Sequence, residues 1–175
     1  IVTYTEKQSK ELKKKMPGKE IVFAPNSLYY KEEMKVSNKF EPLDVIYVGR
    51  LTEAKKPLIL VKAFSKLSES LPEGARLIIV GEGPEKKSLL SFIKKNKMED
   101  RIKILVHISD FKFIGNLYSQ ALLSVSPGYV GLSITQSFAF GVPMLISKDE
   151  NHSPEIEAAI DGENSSFFVT DNVDD

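Results

Sequence analysis

The sequence predicts a doubly wound, mostly parallel α/β sheet, and three observations support this fold class. Six short apolar runs recur along the chain, and their residues are nearly all apolar instead of alternating with polar ones. Strands of that kind are typical of a parallel sheet covered on both faces. Amphipathic segments with helical spacing separate the runs, and regular strand–helix alternation favours the doubly wound arrangement.

The apolar runs and the segments between them give the predicted elements in chain order. The predicted strands are 45–48, 76–80, 102–105, 121–126, 142–147 and 166–169. The predicted helices are 57–70, 85–95, 111–119 and 132–140, with a short fifth helix starting near Pro154 after Ser153 as N-cap. In the first two helices, the apolar spacing predicts that Leu67 and Leu90 face inward.

The first forty residues differ from the rest and predict a separate unit. Residues 1–4 and 6–16 indicate one more strand and helix, and residues 32–42 are polar and charged like a linker. We therefore expect residues 1–40 to be the end of a preceding domain plus a connection. Residues 41–175 are expected to form one binding domain, as part of a longer chain.

Composition excludes several classes of function. The chain has 24 basic and 24 acidic residues, a balance that argues against a nucleic-acid partner. It contains no cysteine, which excludes disulfides and thiolate chemistry. Its two histidines, His107 and His152, lie far apart without a metal-binding spacing, so we expect no metal site. No apolar run approaches the roughly 20 residues of a membrane span.

The loop after the strand 45–48 carries Arg50 and Lys55. In an open α/β sheet, ligands bind outside the carboxyl ends of the strands. A guanidinium and an ammonium group on one such loop would suit a diphosphate, although both could equally be solvated surface charges. Another loop of this kind, at 81–84, carries Gly81 and Gly83 around the acidic Glu82, and is better interpreted as a tight strand-to-helix turn.

The segment 124–147 is the most unusual part of the chain, because it contains no charged residue. A strand is followed by the turn "PGYVGL" and then by a helix that is predicted to start near Gly131 or Leu132. The first turn of a helix offers unpaired N–H groups, which favour an anion. Burial of a strand–turn–helix–strand unit and a binding loop for an anion are both consistent with this composition.

Four motifs in series resemble one enzyme family. They are "YVGRLTEAKKPLILVKAFSKL", "LIIVGEGPEKKSL", the segment 126–141 and "PEIEAAIDGENSSFFV", and together they cover about residues 45–169. They are similar to the Rossmann-like, C-terminal donor-binding domain of retaining, family-4-type glycosyltransferases with the GT-B fold. The resemblance implies that Arg50 and Lys55 are catalytic and contact the diphosphate of a nucleotide-sugar.

The resemblance also implies which residues contact the rest of the donor. The nucleotide base would be held by Val106, His107 and Ile108, largely through the backbone. The phosphates and the sugar would be contacted by Gly49, Gly128, Tyr129, Val130, Gly131, Leu132 and Gln136.

The chain departs from the family pattern at two of these positions. The family often carries two glutamates eight residues apart, the first near the donor sugar and the second on the ribose hydroxyls. Here the matching residues are Gly128 and Gln136. Gln136 can still accept a hydrogen bond from a ribose hydroxyl, but without the added strength of a charged acceptor. Gly128 offers no side chain.

The resemblance implies transfer of a sugar from a UDP-, GDP- or ADP-linked donor to a hydroxyl acceptor, with retention and without a metal or other cofactor. The acceptor, a sugar or a lipid-linked glycan, would bind an N-terminal domain outside this chain, which alone would be inactive. The setting would be surface polysaccharide synthesis in the cytoplasm, at the inner membrane face if the full-length protein associates peripherally. A nucleotide-sugar epimerase of the same fold and a non-catalytic nucleotide-binding module remain alternatives.

Overall fold

A computed structural model of the protein describes residues 1–34 and 41–175. Within these residues the strands are β1 (Val2–Thr3), β2 (Val22–Phe23), β3 (Asp44–Val48), β4 (Leu77–Val80), β5 (Ile102–Leu105), β6 (Ala121–Ser126), β7 (Met144–Ser147) and β8 (Ser165–Phe168). The α-helices are α1 (Glu6–Lys15), α2 (Pro57–Leu67), α3 (Lys86–Lys95), α4 (Phe111–Tyr118) and α5 (Ser133–Ala139).

The main sheet is parallel throughout and has the strand order β5-β4-β3-β6-β7-β8. Both of its faces are covered. On one face, Leu77 and Ile79 pack with residues of α2 and α3, such as Phe64 and Leu89. On the other face, neighbouring strand residues pack against α4 and the end of α5. The predicted parallel, doubly wound α/β fold is therefore confirmed.

Two residues predicted to face inward do not. Leu67 is 53% exposed and Leu90 is 48% exposed. The buried stripe of α2 runs from Pro57 to Phe64 and includes Val61, and Leu67 is the last residue of the helix. In α3 the buried pair is Leu89 and Ile93, one turn apart, so Leu90 is rotated by about 100° toward solvent.

The predicted fifth helix is a 3₁₀ helix, Pro154–Ala158. Ser153 occupies the residue before it, but its side chain makes no capping hydrogen bond. Instead, the backbone N–H of Ser153 donates to the carbonyl of Val130 at 2.9 Å. The segment is therefore tied to the loop after β6 rather than capped by its own side chain.

The N-terminal residues form a small unit of their own. Strands β1 and β2 pair in parallel as a two-stranded sheet, and α1 packs against them. The hydroxyl of Thr5 caps α1 by accepting from the N–H of Gln8 at 3.1 Å. The predicted linker lies partly at 35–40, outside the described residues, so the predicted domain division stays a prediction. No helix in 1–34 or 41–175 is long and apolar enough to cross a membrane.

Candidate functional site

A cleft of about 690 Å³ lies at the carboxyl ends of the strands. It is lined by residues that end β3, β4 and β6, including Gly49, Gly81 and Ser126. Strand β4, which follows β3 in the chain, pairs with one edge of β3, whereas β6 pairs with the opposite edge of β3. A parallel sheet of this kind opens a ligand crevice at the strand where the order reverses.

Two cationic side chains converge in this cleft on a single residue, Tyr129. Nη2 of Arg50 donates to the Tyr129 hydroxyl at 2.9 Å, and Nζ of Lys55 donates to the Tyr129 carbonyl at 2.7 Å. The Lys55 ammonium also lies 3.4 Å from the centroid of the Tyr129 ring, a cation–π contact. The predicted pair of cations is therefore brought together, with a tyrosine between them.

Lys55 is partly removed from water and lies close to the charge of Arg50. Burial, and secondarily the positive charge of Arg50, lowers the pKa of Lys55 to about 8. The backbone of Arg50 is held by the hydroxyl of Tyr47, which donates to the Arg50 carbonyl at 2.8 Å. Burial raises the pKa of Tyr47, so this hydroxyl stays a neutral donor.

The glycine turn after β6 packs directly against the loop that carries Lys55. A side chain at position 128 would place its Cβ 2.3 Å from the Ala54 carbonyl oxygen and 2.8 Å from backbone atoms of Lys55. These distances are shorter than real Cβ contacts, so only glycine fits. At position 128, where the family often has a glutamate, the backbones of the two loops are in direct contact and leave no room for a side chain.

Val130, two residues further along, is fully buried and is held through its backbone. Its N–H donates to Nδ1 of His152 at 3.0 Å, and its carbonyl accepts from Ser153. Its side chain packs with Ile134 in the core near β7. His152 therefore secures the turn, a role that its isolated position in the sequence did not indicate.

The structure places most of the predicted site residues in the cleft. Those that line it are Gly49, Arg50, Lys55, His107, Ile108, Tyr129, Gly131, Leu132 and Gln136. Val106, Gly128 and Val130 are not among the residues that line it: Val106 is 61% exposed, and the other two serve packing. The donor-contacting roles of all twelve remain predictions.

The helix that follows the glycine turn starts within one residue of the predicted position but is shorter than predicted. It begins at Ser133, after Leu132 as N-cap, and contains only seven residues. The electrostatic attraction of a helix N-terminus grows from aligned peptide dipoles, and two turns supply little of it. The positive charge available to an anion in this cleft therefore comes mainly from Arg50 and Lys55.

The turn at 81–84 is a close-packed strand-to-helix turn, as the sequence analysis favoured. A Cβ at Gly81 would lie 1.9 Å from the carbonyl oxygen of Gly49, because the ends of β4 and β3 touch there. Glu82 lies at the rim of the cleft, and its carboxylate pairs with Lys86 one turn away at 2.8 Å.

Several residues of the cleft were not expected from the sequence. Leu28 lines it from the N-terminal segment, and Glu155 lines it from the 3₁₀ helix after β7. Nδ2 of Asn26 donates to Oε1 of Glu155 at 3.0 Å, across 129 residues of sequence. The only signal in the sequence was the turn-forming stretch Pro25–Ser27, and such a stretch does not indicate which part of the fold it will contact.

The family model for "Glycosyl transferases group 1" matches residues 30–175, which include the whole main sheet and the residues that line the cleft except Leu28. The chain belongs to the glycosyl transferases group 1 family. The predicted resemblance to GT-B glycosyltransferases is thus confirmed, while retention stays a prediction, and the parallel sheet is the C-terminal, Rossmann-like half of a GT-B fold.

Individual proteins and solved structures match this chain at low identity. The N-acetylgalactosamine-N,N'-diacetylbacillosaminyl-diphospho-undecaprenol 4-alpha-N-acetylgalactosaminyltransferase of Campylobacter jejuni is 26% identical over 145 residues, 78% of this chain and 37% of that protein. A TarM mutant of S. aureus, solved with Fondaparinux, alpha-GlcNAc-glycerol and UDP, superposes with a TM-score of 0.75 at 16% identity. The pneumococcal O-GlcNAc transferase GtfA, solved with UDP and GlcNAc, superposes with a TM-score of 0.73 at 24% identity.

These matches share the fold and differ in length. Each of the two solved structures covers 99% of this chain, but the chain covers only 34% of either. The chain spans between 17% and 37% of the length of the curated relatives it matches.

Proposed function

We propose that this chain forms the nucleotide-sugar-binding part of a retaining glycosyltransferase, which transfers a sugar to a hydroxyl acceptor in surface polysaccharide synthesis. The observation that carries the proposal is the convergence of Arg50 and Lys55 on Tyr129 at the strand reversal of the sheet. Both cations donate hydrogen bonds that diphosphate oxygens could accept in place of the oxygens of Tyr129. The UDP bound in the related TarM and GtfA structures supports a nucleoside diphosphate as the ligand.

The chemical role of the two cations follows from the charge that develops during transfer. When the bond between the sugar and the phosphate breaks, the leaving diphosphate gains negative charge. Cationic donors placed at such an oxygen stabilise it, often by a few kcal/mol each. Arg50 and Lys55 would supply this charge, so we propose that no divalent metal is required. The acceptor would bind elsewhere in the full-length protein, and this chain alone would not catalyse transfer.

The cleft contains one carboxylate that the family pattern did not lead us to expect. Glu155 lines the cleft from the 3₁₀ helix after β7 and accepts a hydrogen bond from Asn26. With glycine at 128 and glutamine at 136, Glu155 is the acidic group we propose for contact with hydroxyls of the donor sugar. A carboxylate accepts two such hydrogen bonds.

The proposal is tested by titrating the chain with UDP, GDP and ADP in a calorimeter, and by assaying nucleotide-sugar turnover with the full-length protein. We expect one diphosphate to bind the chain and the full-length protein to transfer the matching sugar. Binding without turnover would favour the non-catalytic module. The cytoplasmic location and the membrane association of the full-length protein stay predictions.

The lowered pKa of Lys55 predicts a pH dependence of nucleotide binding. A diphosphate binds the charged ammonium, and that form is lost as the pH rises through about 8. Between pH of about 7 and about 9, the affinity for a nucleoside diphosphate should therefore fall by up to about tenfold, since each pH unit above a pKa reduces the protonated fraction about tenfold. Calorimetric titration over this range measures the effect.

The matched control is Lys55→Arg, because a guanidinium keeps its charge over the whole range. Its affinity for the diphosphate should not vary with pH in this window. A wild-type affinity that stays constant from pH about 7 to about 9 would contradict the assignment of Lys55 to the diphosphate.

A further inference from the structure

Gln136 is held in the cleft by a residue that is 107 positions away in the sequence. Its Nε2 atom donates to the hydroxyl of Tyr29, which comes from the N-terminal segment. Leu28, next to Tyr29, lines the same cleft. The segment before the linker therefore forms part of the wall of the proposed donor site, which the sequence had assigned to residues after 41 alone.

The position of Tyr29 does not depend on Gln136. Its ring packs edge-on against Phe111, with centroids 4.7 Å apart, and lies 5.6 Å from the ring of Phe140. Phe140 in turn stacks on Tyr118, a fully buried residue, at 5.0 Å. Aromatic clusters of this kind fix ring orientation through packing. Tyr29 is thus a rigid support on which the Gln136 amide rests.

The Tyr29 hydroxyl keeps its proton under ordinary conditions. Burial raises its pKa, the hydrogen bond from Gln136 partly opposes this, and the charge of Glu33 adds to it. A neutral hydroxyl can accept the Nε2 hydrogen of Gln136 at any pH at which the protein is used.

A glutamine needs such a support more than a glutamate does. A carboxylate presents two equivalent acceptors, whereas an amide presents a donor at one end and an acceptor at the other. With Nε2 engaged by Tyr29, the carbonyl oxygen Oε1 is the end that remains for a ligand. We infer that Tyr29 is a positioning residue, which orients Gln136 so that Oε1 accepts a hydrogen bond from a ribose hydroxyl of the nucleotide.

This inference rests on the proposed function, because it assumes that a nucleotide binds in the cleft. It adds that the glutamine in place of a glutamate works together with a tyrosine from the N-terminal segment. A second contact between that segment and a residue of the cleft is the hydrogen bond from Asn26 to Glu155.

The test compares Tyr29→Phe with the wild-type protein in calorimetric titrations. The probes are whichever of UDP, GDP and ADP binds, and its 2′-deoxy and 3′-deoxy forms. Phenylalanine keeps the ring packing and removes only the hydroxyl. A neutral hydrogen bond corresponds to roughly fivefold in affinity. The wild type should therefore prefer the ribonucleotide by about this factor over one deoxy form, and Tyr29→Phe should reduce that preference to about twofold.

Tyr30→Phe is the matched control, because Tyr30 is the next residue and its side chain is 78% exposed. It should bind and discriminate as the wild type does. Gln136→Ala should lose the ribose preference completely. The double variant Gln136→Ala/Tyr29→Phe should bind the ribonucleotide as tightly as Gln136→Ala alone, since both changes remove one coupled interaction.

The outcomes separate the inference from the proposed function. If no nucleoside diphosphate binds the folded wild type, the proposed function fails and the inference fails with it. If the wild type binds but treats ribose and both deoxyriboses alike, or if Tyr29→Phe keeps the full preference, only the inference is overturned. Additive losses in the double variant would also overturn it, because they would show that Tyr29 does not act through Gln136.

Discussion

Replacing Arg50 with alanine is expected to weaken the binding of a nucleoside diphosphate by about ten- to a hundredfold. Arg50 lines the cleft, where its guanidinium donates to the Tyr129 hydroxyl. A hydrogen bond that involves a charged group contributes about 1.5–3 kcal/mol, and each 1.4 kcal/mol is a factor of ten in affinity. Calorimetric titration of Arg50→Ala with the nucleotide that binds the wild type measures the loss.

Two controls make this result specific to the diphosphate. The corresponding nucleoside, which has no phosphate, should bind wild type and Arg50→Ala alike. Tyr129→Phe removes the hydroxyl that competes for Arg50, so its affinity for the diphosphate should be equal to or higher than that of the wild type. If Arg50→Ala bound the diphosphate as the wild type does, the assignment of the cations would be wrong.

The second large effect is expected at Gly128. In Gly128→Ala the added Cβ would meet backbone atoms of Ala54 and Lys55 at 2.3–2.8 Å, so one of the two loops has to move. We expect the free energy of unfolding to fall by about 2–3 kcal/mol, as for other overpacked sites. Nucleotide binding should weaken as well, because the displaced loop carries Lys55. Urea unfolding and titration measure the two effects.

Gly131→Ala is the matched control for stability, since it lies in the same turn. Its Cβ would meet the Ser153 hydroxyl at 3.6 Å, an ordinary contact, and the free energy of unfolding should change by less than about 1 kcal/mol. Gly128→Glu, which introduces the residue common in the family, should be as unstable as Gly128→Ala. A stable Gly128→Glu variant with stronger nucleotide binding would contradict the packing explanation.

The fold could be predicted largely from local pattern. Apolar runs such as 77–80 are buried on both faces, and that composition distinguishes a covered parallel sheet from an exposed one. What the pattern could not give is which apolar residues of a helix face the core. Leu67 is the last residue of α2, and Leu90 lies about 100° around α3 from the buried Leu89, so both are exposed.

The site was predictable where it follows the strands and unpredictable where it depends on contacts between distant segments. Arg50 and Lys55 follow β3 and could be placed at the carboxyl edge from the chain alone. Tyr29 and Glu155 reach the cleft only through tertiary packing, over more than 100 residues. Gly128 was interpreted as a missing carboxylate, whereas the structure gives a steric reason for glycine there.

The central claim is that the cleft at the end of β3 and β6 binds the diphosphate of a nucleotide. The most direct measurement is calorimetric titration of the folded chain with UDP, GDP and ADP, compared with the same titrations of Arg50→Ala. We expect saturable binding of at least one diphosphate to the wild type and a loss of about tenfold or more in the variant. No heat with any of the three, while the chain is folded, would contradict it.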